Sequence, residues 1–265
     1  MDRLAGKIAL VTGAGRGLGA AIAHRFREEG ATVVVNDVTP GGTDTIVADV
    51  SDPAAVARMF EEVRRRHGRL DVLVNNAGIS GVEGAPEAVA VLGQVLRQQL
   101  AERAAGGPVR THLDVTVHLP DEVWRRTLAV HLDGTFFCCR AALGLMMEQP
   151  GGAIVNMGST MGTAGGVGAP AYCAAKAGIL GLTRALAREV VTRNIRVNAI
   201  APGYIESPMT APLGPVRPFL EGLAPMGRFG EPDDVAWAAV FLASDEAGFL
   251  TGQVIAPNGG WHMSQ

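Results

Sequence analysis

Lysine is almost missing from this chain of 265 residues: Lys7 and Lys176 are its two, against 21 arginines (23 basic residues less those two). Acidic residues outnumber basic ones, 26 to 23, and the net charge is −3. That balance lacks the basic stripe that phosphate-backbone binding needs, so nucleic acid is not an expected partner. The one short basic run, Arg64-Arg65-Arg66, falls at the end of an expected helix, where it complements the helix dipole. Cysteine is sparse as well. Cys138, Cys139 and Cys173 form neither an even disulfide framework nor a metal-ligand spacing. Buried, reduced thiols and no metal are the expectation. No apolar run reaches the ~20 residues of a membrane span. The opening Met1-Asp2-Arg3-Leu4 shows no apolar leader, so a cytoplasmic location with no membrane partner is expected.

What is present is an ordinary globular composition, 48% hydrophobic and 18% charged, with 35 glycines and 15 prolines spread along the chain. Short apolar, β-branched runs at 7–12, 32–36, 45–50, 71–75, 153–157, 196–201 and 253–256 read as strands. Helical spacing marks 17–29, 53–67, 120–147, 170–193 and 233–243, and Asp52-Pro53 opens the second of these as a cap and first-turn pair. Strand and helix alternate. The expected fold class is therefore α/β, a doubly wound, mostly parallel seven-stranded sheet with helices on both faces, Rossmann-like, in a single domain spanning 1–265.

Two connections break the rhythm. Between Asp37 and Asp49 there are 11 residues, too few for a crossover helix. Between Gly78 and Pro120 there are 41, and residues 81–119 read as an insertion. Within it Val89, Leu92, Leu96 and Leu100 share one face of a helix over about 86–105, and 109–117 alternates like an exposed strand or extended segment.

Residues 12–19 read Thr-Gly-Ala-Gly-Arg-Gly-Leu-Gly, after a strand and before a helix. Gly13, Gly17 and Gly19, with Arg16 and Leu18 between them, let backbone approach a pyrophosphate at a helix N-terminus. Asp37 ends the next strand, where a carboxylate can bond a ribose diol and repel a 2′-phosphate. That favours NAD over NADP, although Arg16 in the turn can pair with such a phosphate. The Thr-Gly-x-x-x-Gly-x-Gly spacing resembles the short-chain dehydrogenase/reductase family, in its compact single-domain branch. Asn75-Asn76-Ala77-Gly78, Met226-Gly227-Arg228 and Thr251-Gly252-Gln253 resemble further family motifs. The resemblance implies a cofactor site that also includes Asp49 and Val50 at the adenine, Asn76, Ala77 and Gly78 beside the dinucleotide, and Pro202, Gly203 and Ile205 at the nicotinamide.

Tyr172 and Lys176 lie four residues apart on an expected helix and so share a face. An ammonium nearby favours a phenolate and brings Tyr172 toward general acid/base work. That a chain so poor in lysine keeps one here argues for a task arginine cannot do: one compact charge reaching ribose hydroxyls and a tyrosine. Ser159, 13 residues before Tyr172, completes the catalytic set that the resemblance implies and would stabilise a developing oxyanion. His131 departs from the family pattern, standing where Asn is usual in His131-Leu132-Asp133-Gly134; it either takes part in moving protons or packs the helix. Asn258 likewise replaces the usual Asp before two glycines.

The function expected is hydride transfer between NAD(H) and a small-molecule ketone or secondary alcohol, with Tyr172 as general acid/base. The alternative is an NADPH-dependent 3-oxoacyl thioester reductase. A catalytically inactive dinucleotide sensor is disfavoured by the intact Ser159, Tyr172 and Lys176. A nucleotide-sugar enzyme of the extended branch is disfavoured by glycine spacing and length. The substrate side is expected from 81–86, 160–168 and 207–219, small or apolar apart from Arg217 as a possible clamp. The resemblance also implies a homo-oligomer, a tetramer packed through helices 120–147 and 170–193; the apolar Leu143, Leu145, Met146, Leu180 and Leu182 are consistent with burial between subunits, although core burial alone also explains them. The insertion is expected near the substrate or at a subunit contact.

Overall fold

The computed structural model describes residues 2–42, 44–80 and 86–263. The first unit is β1 (Ile8–Thr12), α1 (Gly17–Glu28) and β2 (Thr32–Asp37). A turn without a helix leads to the edge strand β3 (Thr45–Val47), followed by α2 (Pro53–His67) and β4 (Val72–Asn75). β3 ends earlier than its apolar run predicts. It pairs with β2 on one side only, and Ala48 to Val50 turn away into the protein. α2 begins as its cap residues require: Asp52 accepts from the Ala54 N–H at 2.8 Å, and left-handed Gly68 (φ 70°) ends it.

The insertion contributes α3 (Pro86–Ala104) and the single turn α4 (Val115–His118). No strand forms over 109–114, which is irregular, and the alternating residues beyond it are helical. Next come α5 (Asp121–Leu128), a π-helical turn (Ala129–Asp133) and α6 (Gly134–Met146), which run on as one rod. Asp121–Met146 is long and apolar enough to cross a membrane by length and composition, but half of its most apolar window is buried inside the protein, as in a core helix. β5 (Gly152–Met157), the short α7 (Met161–Ala164), α8 (Pro170–Val190) and β6 (Ile195–Ile200) complete the second half. Then α9 (Arg217–Leu223), α10 (Pro232–Ala243) and β7 (Val254–Ile255) close the chain.

The seven strands pair in parallel throughout, in the order β3-β2-β1-β4-β5-β6-β7. Alternate side chains go to opposite faces. Ala9, Val11, Val33, Val35, Val72 and Val74 meet Ile22 and Phe26 of α1 and Val235 and Val240 of α10. Leu10, Val34, Leu73 and Ile154 meet Met59, Phe60 and Val63 of α2, Cys138 and Met146 of α6, and Ala187 of α8. Two cores thus sandwich one sheet, which explains why the strands read as continuous apolar runs. Cys138 and Cys139 are buried, as expected, whereas Cys173 is only half-buried. Leu143, Leu145, Met146 and Leu180 belong to the core of a single copy, so their apolar character carries no argument about subunit contacts.

Candidate active site

The sheet places the glycine turn, Asp37, Asp49, Val50, Asn76 to Gly78, Ser159 and the 202–205 loop at or just beyond the C-terminal ends of its strands, the edge where ligands bind in open α/β sheets, while Tyr172, Lys176 and His131 stand on helices. The glycine turn follows β1. Gly13 (φ 60°) and Gly17 (φ 58°) hold left-handed backbone that other residues resist. A Cβ on Gly13 would also lie 2.6 Å from the Ala77 Cα. Asn76 braces the same turn, its Nδ2 donating to the carbonyls of Thr12 and Gly13, both at 3.0 Å. The N–H groups of Asn76 and Ala77 donate to the Thr12 hydroxyl at 3.0 and 3.1 Å.

Arg16 is the exposed N-cap of α1, with no side-chain cap hydrogen bond and no acidic residue in the first turn. The helix N-terminus formed by Gly17, Leu18 and Gly19 therefore keeps its partial positive charge unopposed. Asp37 lies against the turn, one oxygen accepting from the Gly15 N–H at 3.0 Å and the other from the Thr39 N–H at 3.1 Å. A Cβ on Gly15 would come within 2.8 Å of that carboxylate. An uncapped helix start, a turn only glycines can follow and a carboxylate fixed beside it fit a dinucleotide.

The remaining cofactor candidates line the same edge. Asp49 accepts from the Ser51 N–H (2.9 Å) and hydroxyl (2.7 Å) and pairs with Arg126 (3.0 Å). Burial would raise its pKa, but these bonds and the guanidinium outweigh it and hold the carboxyl below its usual range. Val50 packs its side chain toward Gly134. Gly203 approaches Asn258 so closely that a Cβ would be 2.8 Å from its Cα. Pro202 accepts from the Thr160 N–H at 3.0 Å, which ties the loop after β6 to the loop after β5, and Ile205 bridges to Gly230.

Ser159, Tyr172 and Lys176 converge where those loops meet the start of α8. Ser159 is buried, and its hydroxyl accepts from the Met161 N–H at 3.1 Å. The Lys176 ammonium donates to the Met157 carbonyl at 2.6 Å and lies 5.5 Å from the centre of the Tyr172 ring. Burial pushes the Tyr172 phenol up to about 12, against the pull of its hydrogen bond with Ser159. Burial also pulls Lys176 down to about 7. This differs from the sequence expectation of a tyrosine acidified by its lysine. Lys176 is buried and Tyr172 half-buried, and desolvation favours the neutral form of each.

His131 sits in the π-helical turn, its ring edge-on to Tyr172 with centroids 5.2 Å apart. Its Nε2 is 2.8 Å from the Ile79 carbonyl, to which it donates in one tautomer, and 3.1 Å from the Ile79 N–H, from which it accepts in the other. Nδ1 is buried without a partner among the described residues. Burial, reinforced by the Lys176 charge, lowers the imidazole to about 3 and favours its neutral form.

One part of the neighbourhood was not legible as a site residue, Tyr204. Tyr204 is stacked between Phe229 (5.3 Å, 19°) and Trp261 (5.0 Å, 20°). Negative charge on its hydroxyl would oppose ionisation of Tyr172, so both tyrosines of the chain belong to one neighbourhood. Arg217 lies over Phe229 at 4.6 Å. It is not the clamp the sequence allowed, because Glu206 and Glu221 already pair with its guanidinium. Of the expected substrate segments, 81–85 fall outside the described residues.

Comparison with known proteins agrees with this geometry. A family model described as short chain dehydrogenase matches residues 7–92, and one described as enoyl-(acyl carrier protein) reductase matches residues 100–262. The chain is 37% identical over 273 positions to the 3-oxoacyl-[acyl-carrier-protein] reductase FabG of Thermotoga maritima, covering 97% of this chain and 98% of that protein. The enzyme of the same name from Escherichia coli K12 is 36% identical over 270 positions, with the same coverage of 97% and 98%. That from Staphylococcus aureus Mu50 is 37% identical over 273 positions. A chain that aligns with such proteins over nearly its whole length, and folds as its motifs require, belongs to the short-chain dehydrogenase/reductase family and is a nicotinamide-dependent oxidoreductase acting on the C=O/CH–OH couple.

Proposed function

We propose that this chain interconverts a ketone and a secondary alcohol, with 3-oxoacyl thioesters as its substrate class and NAD(H) as its dinucleotide. The convergence of Ser159, Tyr172 and Lys176 at the sheet edge carries the reading of the chemistry. The names of the full-length relatives support the substrate class. Asp37 supports NAD over NADP, since its carboxylate stands beside the glycine turn where a 2′-phosphate would have to go.

The bound nicotinamide supplies or takes up the hydride. Gly13, Gly17, Leu18 and Gly19 offer backbone to its pyrophosphate, with Arg16 at the rim. Asp37 takes a ribose hydroxyl, and Asp49 and Val50 border the adenine. Asn76, Ala77 and Gly78, with Pro202, Gly203 and Ile205, frame the nicotinamide half. In the reducing direction Tyr172 donates its phenolic proton to the substrate oxygen, while the Ser159 hydroxyl donates a hydrogen bond to that oxygen as negative charge develops. Lys176 stabilises the resulting phenolate and reaches the adjacent ribose. His131, neutral and anchored to Ile79, positions the wall behind Tyr172 and is not itself the acid.

The protein is further read as a cytoplasmic homotetramer. Large apolar residues left exposed on one copy, Phe136 of α6, Trp237 of α10 and Phe249, support association. Light scattering at micromolar concentration tests this, and a monomer mass defeats it. The function is tested by a panel of 3-oxoacyl thioesters and simple ketones, each with NADH and NADPH. Turnover of thioesters with NADH preferred is the expected result. Turnover confined to simple ketones, or a preference for NADPH, overturns the corresponding part.

A further inference from the structure

α3 belongs to the insertion, and the family models break across it, one ending at residue 92 and the other resuming at 100. Its inner face does not look onto solvent. Gly93 is buried, and a Cβ there would lie 2.5 Å from Val216 Cγ1. Leu92 meets Gly168, where a Cβ would be 3.2 Å from the leucine Cδ1. The partners sit in the loop that leads into the catalytic helix and in the segment that follows β6. Gly168 lies just before α8 and Tyr172. Val216 shares a small apolar cluster with Leu220 and Phe229, against which Tyr204 packs.

The helix is sided. Leu92, Val95 and Leu96 are half-buried, while Val91 and Leu100 are exposed, so the inner face is narrower than the four-residue stripe expected from sequence; the Val89 side chain lies outside those described. The return leg fastens the C-terminal part of this same face. Glu102 accepts from the N–H groups of Arg110 (2.7 Å) and Thr111 (3.1 Å) and from the Thr111 hydroxyl (2.7 Å), and Gln99 donates to the Thr111 carbonyl at 2.9 Å. A helix seated on Gly168 and Val216 and fastened at its C-terminal end by the return leg is a wall, and over 92–96 the side chains of its inner face are aliphatic.

Resting on the reading above that these loops form the substrate side, we propose that α3 is the outer wall of the substrate cleft, and that its Leu92 face receives the aliphatic chain carried beyond the reacting ketone. The wall makes the chain, and not only the ketone, a determinant of binding. Burying a methylene against it should lower KM by up to about four-fold, the ratio equivalent to ~0.8 kcal/mol, until the wall is spanned.

The test is the dependence of KM on chain length in the intact protein, in Leu92→Ser, and in a variant with 86–107 replaced by a short Gly/Ser linker. A homologous series of 3-oxoacyl thioesters from four to twelve carbons is the probe; the series of 2-alkanones replaces it if no thioester is turned over, so failure of the thioester reading is recorded separately. The expected result is a KM that falls with length in the intact protein and a flattened dependence in both variants. The NADH KM, the kcat for the shortest substrate and the oligomeric mass should stay unchanged. The proposal is overturned by a KM independent of length in the intact protein, or by a slope unchanged in Leu92→Ser, which decides the matter even if the shortened variant does not fold. A slope unchanged while the mass of the shortened variant drops overturns it in favour of a subunit contact.

Discussion

Gly78 and His131 are shaped to each other: a Cβ on Gly78 would stand 2.5 Å from Cε1 and 3.0 Å from Nδ1 of the imidazole. The chain leaving β4 and the π-helical turn thus meet with no room for a methyl group. Gly78→Ala should destabilise the protein by about 1–3 kcal/mol, the usual cost of overpacking a filled interior. In the double variant Gly78→Ala/His131→Ala, most of that loss should disappear, because the ring that clashes is gone. Urea unfolding of the single and double variants measures this. Strictly additive losses would show that the two positions do not act as a pair.

The same imidazole predicts a pH effect. Its folded-state value of about 3 lies below the ordinary 6.5. The unfolded chain therefore takes up a proton that the folded chain refuses. The stability that neutral His131 protects is fully present above pH 6.5 and declines as the pH falls toward 3, by at most ~1.4 kcal/mol per pH unit. His131→Asn should unfold less readily on acidification than the parent, relative to its own stability at pH 7. Urea midpoints compared at pH 7 and pH 4.5 decide it; an identical acid-dependent loss in both proteins removes His131 from the account.

Replacing Tyr172 with phenylalanine should cut turnover by about 10²–10⁴, the share of a general acid/base, and leave dinucleotide affinity near normal. Single-turnover assays with fluorescence titration of NADH separate the two. Retained turnover would mean that another group delivers the proton.

Asp37→Ser should narrow the preference for NADH over NADPH, chiefly through the NADPH KM. The carboxylate lost is held by the Gly15 and Thr39 N–H groups beside the glycine turn. If the parent enzyme already favours NADPH, the role assigned to Asp37 is wrong.

Much of this arrangement was legible because it is local. Asp52-Pro53 marks the start of α2, the valine runs mark the central strands, and the glycine turn and Asp37 lie together in the fold as their spacing suggests. What escaped depends on partners distant in sequence. The alternation at 109–117 is a strand signal only if a partner strand lies alongside, and the seven-stranded sheet does not take this segment in. Arg217 looked available because Glu206 and Glu221 could not be placed beside it. Tyr204 looked incidental because Phe229 and Trp261 approach it only in the fold. The direction of the Tyr172 shift failed for a related reason: spacing reveals a lysine on the same face, but not how far both groups are removed from water. Scarcity was the usable hint, since a chain with two tyrosines and two lysines puts both tyrosines and one lysine here.

The π-helical turn Ala129–Asp133 gives the long rod of α5 and α6 two angular phases. A wider turn delays the helix by about one residue, roughly 100° of rotation at 3.6 residues per turn. Thr127 is set by the phase of α5, whereas Cys138, Cys139, Ala142 and Met146 are set by that of α6. His131 occupies the joint, so its ring can turn toward Ile79 and Tyr172 without withdrawing either half from the core. Deleting one residue from this turn would make the helix more regular and the protein worse, because every apolar side chain of α6 would rotate away from the sheet it now covers.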